Sequence, residues 1–190
     1  MPNWCMNTVT LEHDDPVMIT RAKVAFDKGA LLQEFIPCPQ DLIDTVSGFG
    51  PEQEALEAQQ AANREKYGYS TWYEHNVAEW GTKWDIGGDG EAQDIDGGLV
   101  LSFDSAWAPP IHAYERLLEL GFKVQAMYYE PGMGFAGIWE DGSDDYYEYG
   151  GMTADEIEAT LPTELDEAYG ISQAVSEWEQ EQEAAEEDLE

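Results

Sequence analysis

The stretch from Leu99 to Glu130, LVLSFDSAWAPPIHAYERLLELGFKVQAMYYE, spells out a strand, a helix and a second strand in succession. Leu99, Leu101 and Phe103 alternate onto one face, the period of a half-buried strand that runs to Trp107. Pro109-Pro110 opens a helix whose apolar stripe is Ile111, Tyr114, Leu117 and Leu118, and Gly121 ends it. Phe122 to Glu130 is the second strand, and a tight Pro131-Gly132 turn leads to a third, Met133 to Trp139.

Working outward, Asn3 to Glu12 has strand composition. Asp15 as N-cap and Pro16 at the first position then start a helix with Ile19, Ala22 and Phe26 on one face, closed at Lys28-Gly29. Leu31 to Ser47 holds Pro37 and Pro39, which predicts an extended apolar clip without regular structure. Pro51 to Lys66 predicts a largely exposed helix, part of an insertion at about residues 30–75. Trp80 to Ile86 reads as a strand separated from Leu99 to Trp107 by a Gly and Asp loop, Gly87 to Gly98. With the insertion set aside the order is β, α, β, β, α, β plus a final strand. This predicts an α+β fold: a ferredoxin-like split βαβ antiparallel sheet with helices on one face. Residues 1–150 form that domain, and 151–190 an acidic helical C-terminal extension. Within 141–190, Asp144 to Tyr149 suits a short acidic edge strand. Thr153 with Glu156 makes a capping box for a helix over Asp155 to Thr160, Pro162 interrupts, and Ser172 is placed to cap a last helix.

The strings Met1-Pro2-Asn3-Trp4-Cys5-Met6-Asn7, Trp80-Gly81-Thr82-Lys83-Trp84-Asp85, Phe103-Asp104-Ser105-Ala106-Trp107-Ala108-Pro109-Pro110, and Tyr129-Glu130-Pro131-Gly132 with Phe135-Ala136-Gly137 carry a resemblance. Together, over roughly residues 1–150, the chain resembles the YubB-type ferredoxin-like family, a domain-of-unknown-function group of bacteriophages, prophages and conjugative plasmids. The resemblance implies a ferredoxin-like fold and a mobile-element origin. It implies no activity and no catalytic residue.

Charge dominates the rest. The formal net charge is -33, and the twenty acids after Lys123 meet no Lys or Arg. Residues 1–123 already carry a net of -13 from twenty-one acids and eight bases. Such a surface repels nucleic acid and anionic membrane and attracts basic protein surfaces. With 43% hydrophobic and 12% aromatic residues the chain is nevertheless expected to fold. Cys5 and Cys38 have no metal-ligand spacing, and no apolar run approaches a membrane span, so a cytoplasmic protein without disulfides is expected.

No phosphate-binding Gly-rich loop, nucleophile elbow or Cys-His pair is legible, so no catalytic residue and no cofactor are expected. His13, His75 and His112 lack a second ligand at i+3 or i+4, and Asp85, Asp89, Glu91, Asp94 and Asp96 lack the calcium-loop pattern, so no metal is expected. Trp80, Lys83, Trp84, Asp85 and Trp107 form a possible pocket for a cationic group; the competing reading is that the aromatics fill the core.

The C-terminus supports a sharper expectation. Residues 177–190 hold eight carboxylates, which a helix would spread over about 21 Å, one per roughly 2.6 Å. Duplex DNA carries one charge per about 1.7 Å and a single strand one per about 3.4 Å. The expected function is therefore a DNA mimic: a protein-binding inhibitor of a host nucleic-acid-binding or defence complex. Its partner-binding residues are Asp144, Asp145, Glu148, Glu177, Glu179, Glu181, Glu183, Glu186 and Glu187, with Trp178 as an apolar anchor. The alternative is an accessory interaction module whose acidity serves solubility only.

Overall fold

The computed structural model describes residues 3–50 and 52–187. Six strands form one antiparallel sheet: β1 (Trp4–Glu12), β2 (Glu91–Ile95), β3 (Gly98–Ala106), β4 (Lys123–Glu130), β5 (Phe135–Glu140) and β6 (Ser143–Glu148), in the spatial order β2-β3-β1-β4-β5-β6. Because β3 pairs antiparallel with both β2 and β1, β1 and β2 run parallel with β3 between them. By the same logic β3 and β4 run parallel, separated by β1.

The register sorts residues onto two faces. On the first, Leu101, Val9, Ala126 and Trp139 form one row across the sheet, and Phe103, Asn7, Tyr128 and Gly137 another. Helices α1 (Pro16–Asp27) and α6 (Ile111–Glu119) cover this face and build the main core with Phe26, Leu117, Phe122 and Trp139. Asp15 caps α1 by accepting from Val17 N, and Pro16 opens it as expected. Inside the core a polar thread is fully paired. Tyr114 Oη donates to Asn7 Oδ1 at 3.1 Å, Asn7 Nδ2 donates to Ser105 Oγ at 2.8 Å, and Ser105 Oγ donates to the Ala108 carbonyl at 2.7 Å. Gly137 is required locally: a Cβ there would meet the Tyr128 hydroxyl oxygen at 2.2 Å. That oxygen passes over the glycine to donate to Asp144 at 2.7 Å.

The second face overturns the expectation of helices on one side only. Helices α7 (Ala154–Thr160), α8 (Thr163–Tyr169) and the start of α9 (Ile171–Glu187) pack across β4, β5 and β6, where Ile157, Leu161, Leu165 and Ile171 bury against Ala136, with Met127, Tyr129, Ile138 and Tyr147 at the margin. Residues 151–175 are thus part of the folded body. The physical reason is that β4 and β5 carry apolar side chains on both faces, which water would not tolerate uncovered. The capping box of Thr153 and Glu156 forms as predicted, but Ser172 lies inside α9 and hydrogen-bonds Asp166 instead of capping.

Three further expectations change. The segment Leu31 to Ser47 is not purely extended but holds short helices α2 (Leu31–Phe35) and α3 (Gln40–Ile43), with Pro37 and Pro39 both falling between them. The insertion continues with α4 (Gln53–Tyr67), ended by left-handed Gly68, and α5 (Trp72–Glu79), capped by Thr71; Pro51, the expected start of α4, lies outside the described residues. Trp80 to Ile86 is not a strand: Trp80 is the C-cap of α5 and left-handed Gly81 breaks any extension. The second strand is instead β2, within the segment read as a loop.

Candidate functional site

Beyond Ser176, α9 leaves the sheet. Every described side chain from Glu177 to Ala185 is exposed except Glu179, which is half-buried, and Trp178 is 60% exposed. At 3.6 residues per turn, Glu177 and Glu181 share one side while Glu179 and Glu183 lie on roughly the opposite side. The acids therefore surround this part of the helix. The side chains of Glu186 and Glu187 lie outside the described residues. On β6, Asp144 pairs across from Trp139 and Asp145 from Ile138, so the two carboxylates project from opposite faces of the edge strand, and Glu148 opposes Phe135. Asp144 accepts from Tyr128 Oη, whose ionisation is pushed well above the usual phenol value by burial and by that carboxylate.

The five residues of the possible pocket do not converge. Trp80 is core: it is 3% exposed and its Nε1 donates to the Ile36 carbonyl at 2.9 Å. Asp85 is occupied by the backbone. It accepts from the amides of Leu32, Gln33 and Ile86 at 2.8–2.9 Å, fixing the first turn of α2. Burial raises its pKa, and those three amide bonds oppose the rise. Lys83 Nζ lies 4.5 Å from the centre of the Trp84 ring and 5.8 Å from that of Tyr73. Trp107, with a left-handed φ of 73°, sits exposed where β3 ends, its amide donating to the Asn3 carbonyl. Only Trp84 and Asp85 of the five line a groove.

That groove, about 590 Å³, opens on the part of the second sheet face that α7 to α9 leave uncovered. Its floor is Met6 and Thr8 of β1 with Ser102 and Asp104 of β3; its walls are Trp4, the segment Trp84 to Glu91, and Tyr169 at the end of α8. Tyr169 fixes that boundary by donating to the Met127 carbonyl at 2.8 Å. The rings of Trp4 and Trp84 meet with centroids 5.9 Å apart at a 34° tilt. Asp89, Glu91 and Asp104 make no ion pair and no side-chain hydrogen bond among the described residues. The sequence reading missed Trp4, Met6, Glu91 and Asp104 as site residues. A signal was available in β1, where Trp4 and Met6 alternate with the buried Cys5 and Asn7 and must therefore face the other way.

The three histidines are held apart in separate settings: His13 against Leu120 and Phe122, His75 between Tyr69 and Trp80, and His112 with its Nδ1 2.9 Å from the Ala78 carbonyl. Among the described residues no group of three His, Cys, Asp or Glu side chains is placed to hold a metal ion, and no helix is long and apolar enough to cross a membrane. Both thiols are buried and free, and burial lifts Cys5 to about 12 and Cys38 to about 11.

No family model and no curated protein matches the chain. Among solved structures the chain is similar to protein api92 from Yersinia pseudotuberculosis, of family model DUF1281, at 13% identity and a TM-score of 0.42, covering 79% of this chain and 99% of that one.

Proposed function

We propose that this chain is a mobile-element protein that binds and inhibits a host nucleic-acid-binding or defence complex by presenting carboxylates where phosphates would sit, on a body whose strands β1 to β4 follow the ferredoxin-like split βαβ plan. The observation that carries the reading is the distribution of charge. Six of the eight cations are already ion-paired, as Arg21–Glu34, Lys23–Asp94, Arg64–Glu74, Lys66–Asp41, Arg116–Glu119 and Lys123–Glu12. The projecting part of α9 has no cation at all. Its carboxylates ring the helix at a linear spacing between that of duplex and single-stranded nucleic acid. A polyanion without internal counter-ions lowers its energy by docking on a cationic groove and releasing the bound salt there.

The test is displacement. Bacterial proteins held on DNA-cellulose at about 50 mM salt are eluted with the full chain, with polyglutamate of equal total charge, and with the full chain carrying E177Q, E179Q, E181Q and E183Q. The expected result is release of a small set of DNA-binding proteins by the parent alone, weakened roughly tenfold in the variant and lost as salt rises. Equal elution by polyglutamate, or an unchanged variant, overturns the reading.

A further inference from the structure

In a chain with forty-one acids, carboxylates near one another single out nothing. The groove over β1 and β3 is distinguished by what accompanies them. Trp4 and Trp84 are 48% and 40% exposed, and Met6 is 38% exposed on the floor between strands. This apolar surface lies on the uncovered part of a sheet face whose other part is sealed by helices. Met6 stands directly across from Asp104, and Glu91 directly across from Ser102. Glu91 and Asp104 are therefore diagonal neighbours, at the spacing of about 7–8 Å usual for such pairs. Asp89 lies on the adjoining wall. Among the described residues no Lys or Arg lines the groove, and the Lys83 ammonium lies over the ring of Trp84 on its wall. Trp4 has no cation over its ring among those residues.

We infer that this groove is the seat of an arginine-bearing segment of the basic partner; the inference rests on the reading of the chain as a ligand for basic surfaces and gives that reading a specific contact. The match is one of charge and shape. A guanidinium is planar and weakly hydrated, stacks on indole faces, and offers paired N–H donors to carboxylates. The indole pair supplies the stacking surface and Asp104 and Glu91 the acceptors, with Asp89 at the entrance. An ammonium group meets the same charge but gains less from the rings. The acidic α9 then acts at long range, drawing basic surfaces in, while the groove fixes which surface stays.

The probe is the peptide acetyl-Arg-Gly-Arg-Gly-Arg-amide, titrated calorimetrically into the full chain at physiological salt beside its lysine counterpart and free arginine amide. The arginine peptide is expected to bind several-fold tighter than the lysine peptide and than arginine amide. Glu91→Gln with Asp104→Asn is expected to weaken it roughly tenfold, and Trp84→Ala comparably, whereas Trp84→Phe retains most of the affinity. The fourfold α9 variant stays within about threefold. On the unaltered chain, the indole N–H signals of Trp4 and Trp84 should shift on titration. Shifts confined to Trp178, unchanged affinity in the groove variants, or equal binding of lysine peptide or of arginine amide would each overturn the inference. The two readings separate cleanly. If the parent displaces DNA-bound proteins but the groove variants bind the probe as the parent does, the groove fails and phosphate mimicry stands. If the groove binds the arginine peptide and the parent displaces nothing, the reverse holds.

Discussion

Removing the Asp85 carboxylate would leave three amides, those of Leu32, Gln33 and Ile86, without their acceptor at a partly buried site. Asp85→Ala is expected to lower unfolding free energy by about 2 kcal/mol in urea titration, with Asp85→Asn losing less because one oxygen remains. A loss near zero would mean that water satisfies these amides and that the carboxylate is free for a ligand. The buried thiols contribute to loss of stability at alkaline pH, beside Tyr114, Tyr128, Tyr149 and Tyr169, whose ionisation burial also pushes up. Cys5 is lifted from an ordinary 9.0 to about 12 and Cys38 to about 11, in each case chiefly because burial disfavours the thiolate. A group whose folded pKa lies above its unfolded value gives up its contribution as pH rises between the two. Stability is therefore expected to be flat with respect to these groups up to pH 9 and to fall from there towards pH 12, with Cys5→Ala reducing the slope. At pH 8 neither thiol should react with a disulfide reagent until denaturant is added, and reaction of the native protein would contradict their burial.

At the scale of elements, α8 is the clasp that joins the C-terminal helices to the sheet. Leu165 is fully buried against the second face, so Leu165→Ala is expected to cost about 2–5 kcal/mol and to lower the melting midpoint. Deleting residues from Glu177 onward should leave that midpoint nearly unchanged, because that part of α9 is almost wholly exposed. A large drop on that deletion would place the tail in the folded body. Elements with a clear local signal were legible in the sequence: β3 by alternation, β1 by its strand composition, β4 and β5 as strands joined at the Pro131-Gly132 turn, α1 and α6 by their stripes, α7 by its capping box. Others were not, for physical reasons. Glu91-Ala92-Gln93-Asp94-Ile95 has no apolar alternation because β2 is an edge strand that buries little, and the Trp80 to Ile86 aromatics mimic a strand although a left-handed glycine splits them. The docking of α7 and α8 was hidden by Pro162, which breaks the helical period linking Ile157, Leu161 and Leu165. The apolar Met127 and Tyr129 on the outer face of β4 were the available clue. Of the candidate site, the acids were legible as composition and their encircling arrangement on α9 follows from their i, i+2 spacing. The groove was not legible, since it joins β1, β3 and a segment read as a strand and loop.

For the whole molecule, charge opposes compactness. With a net charge of -33 and six of eight cations already paired, each additional carboxylate adds repulsion that folding concentrates. The exposed ion pairs themselves contribute little, since surface pairs are worth about 0–1 kcal/mol. Screening should therefore help the folded state more than it weakens those pairs. The melting midpoint is expected to rise by roughly 3–6 °C between about 10 and 150 mM sodium chloride, corresponding to one or two kcal/mol for a chain of this size. Where the repulsion resides can be separated. The outer part of α9 projects from the body, so neutralising Glu177, Glu179, Glu181 and Glu183 as glutamines should move the midpoint by only about 1–2 °C and leave the salt response largely intact. A midpoint insensitive to salt would mean that the acids are spaced widely enough not to oppose folding. A salt response abolished by those four substitutions would put the strain in α9 itself, and the acidity of the sheet domain would then serve binding alone.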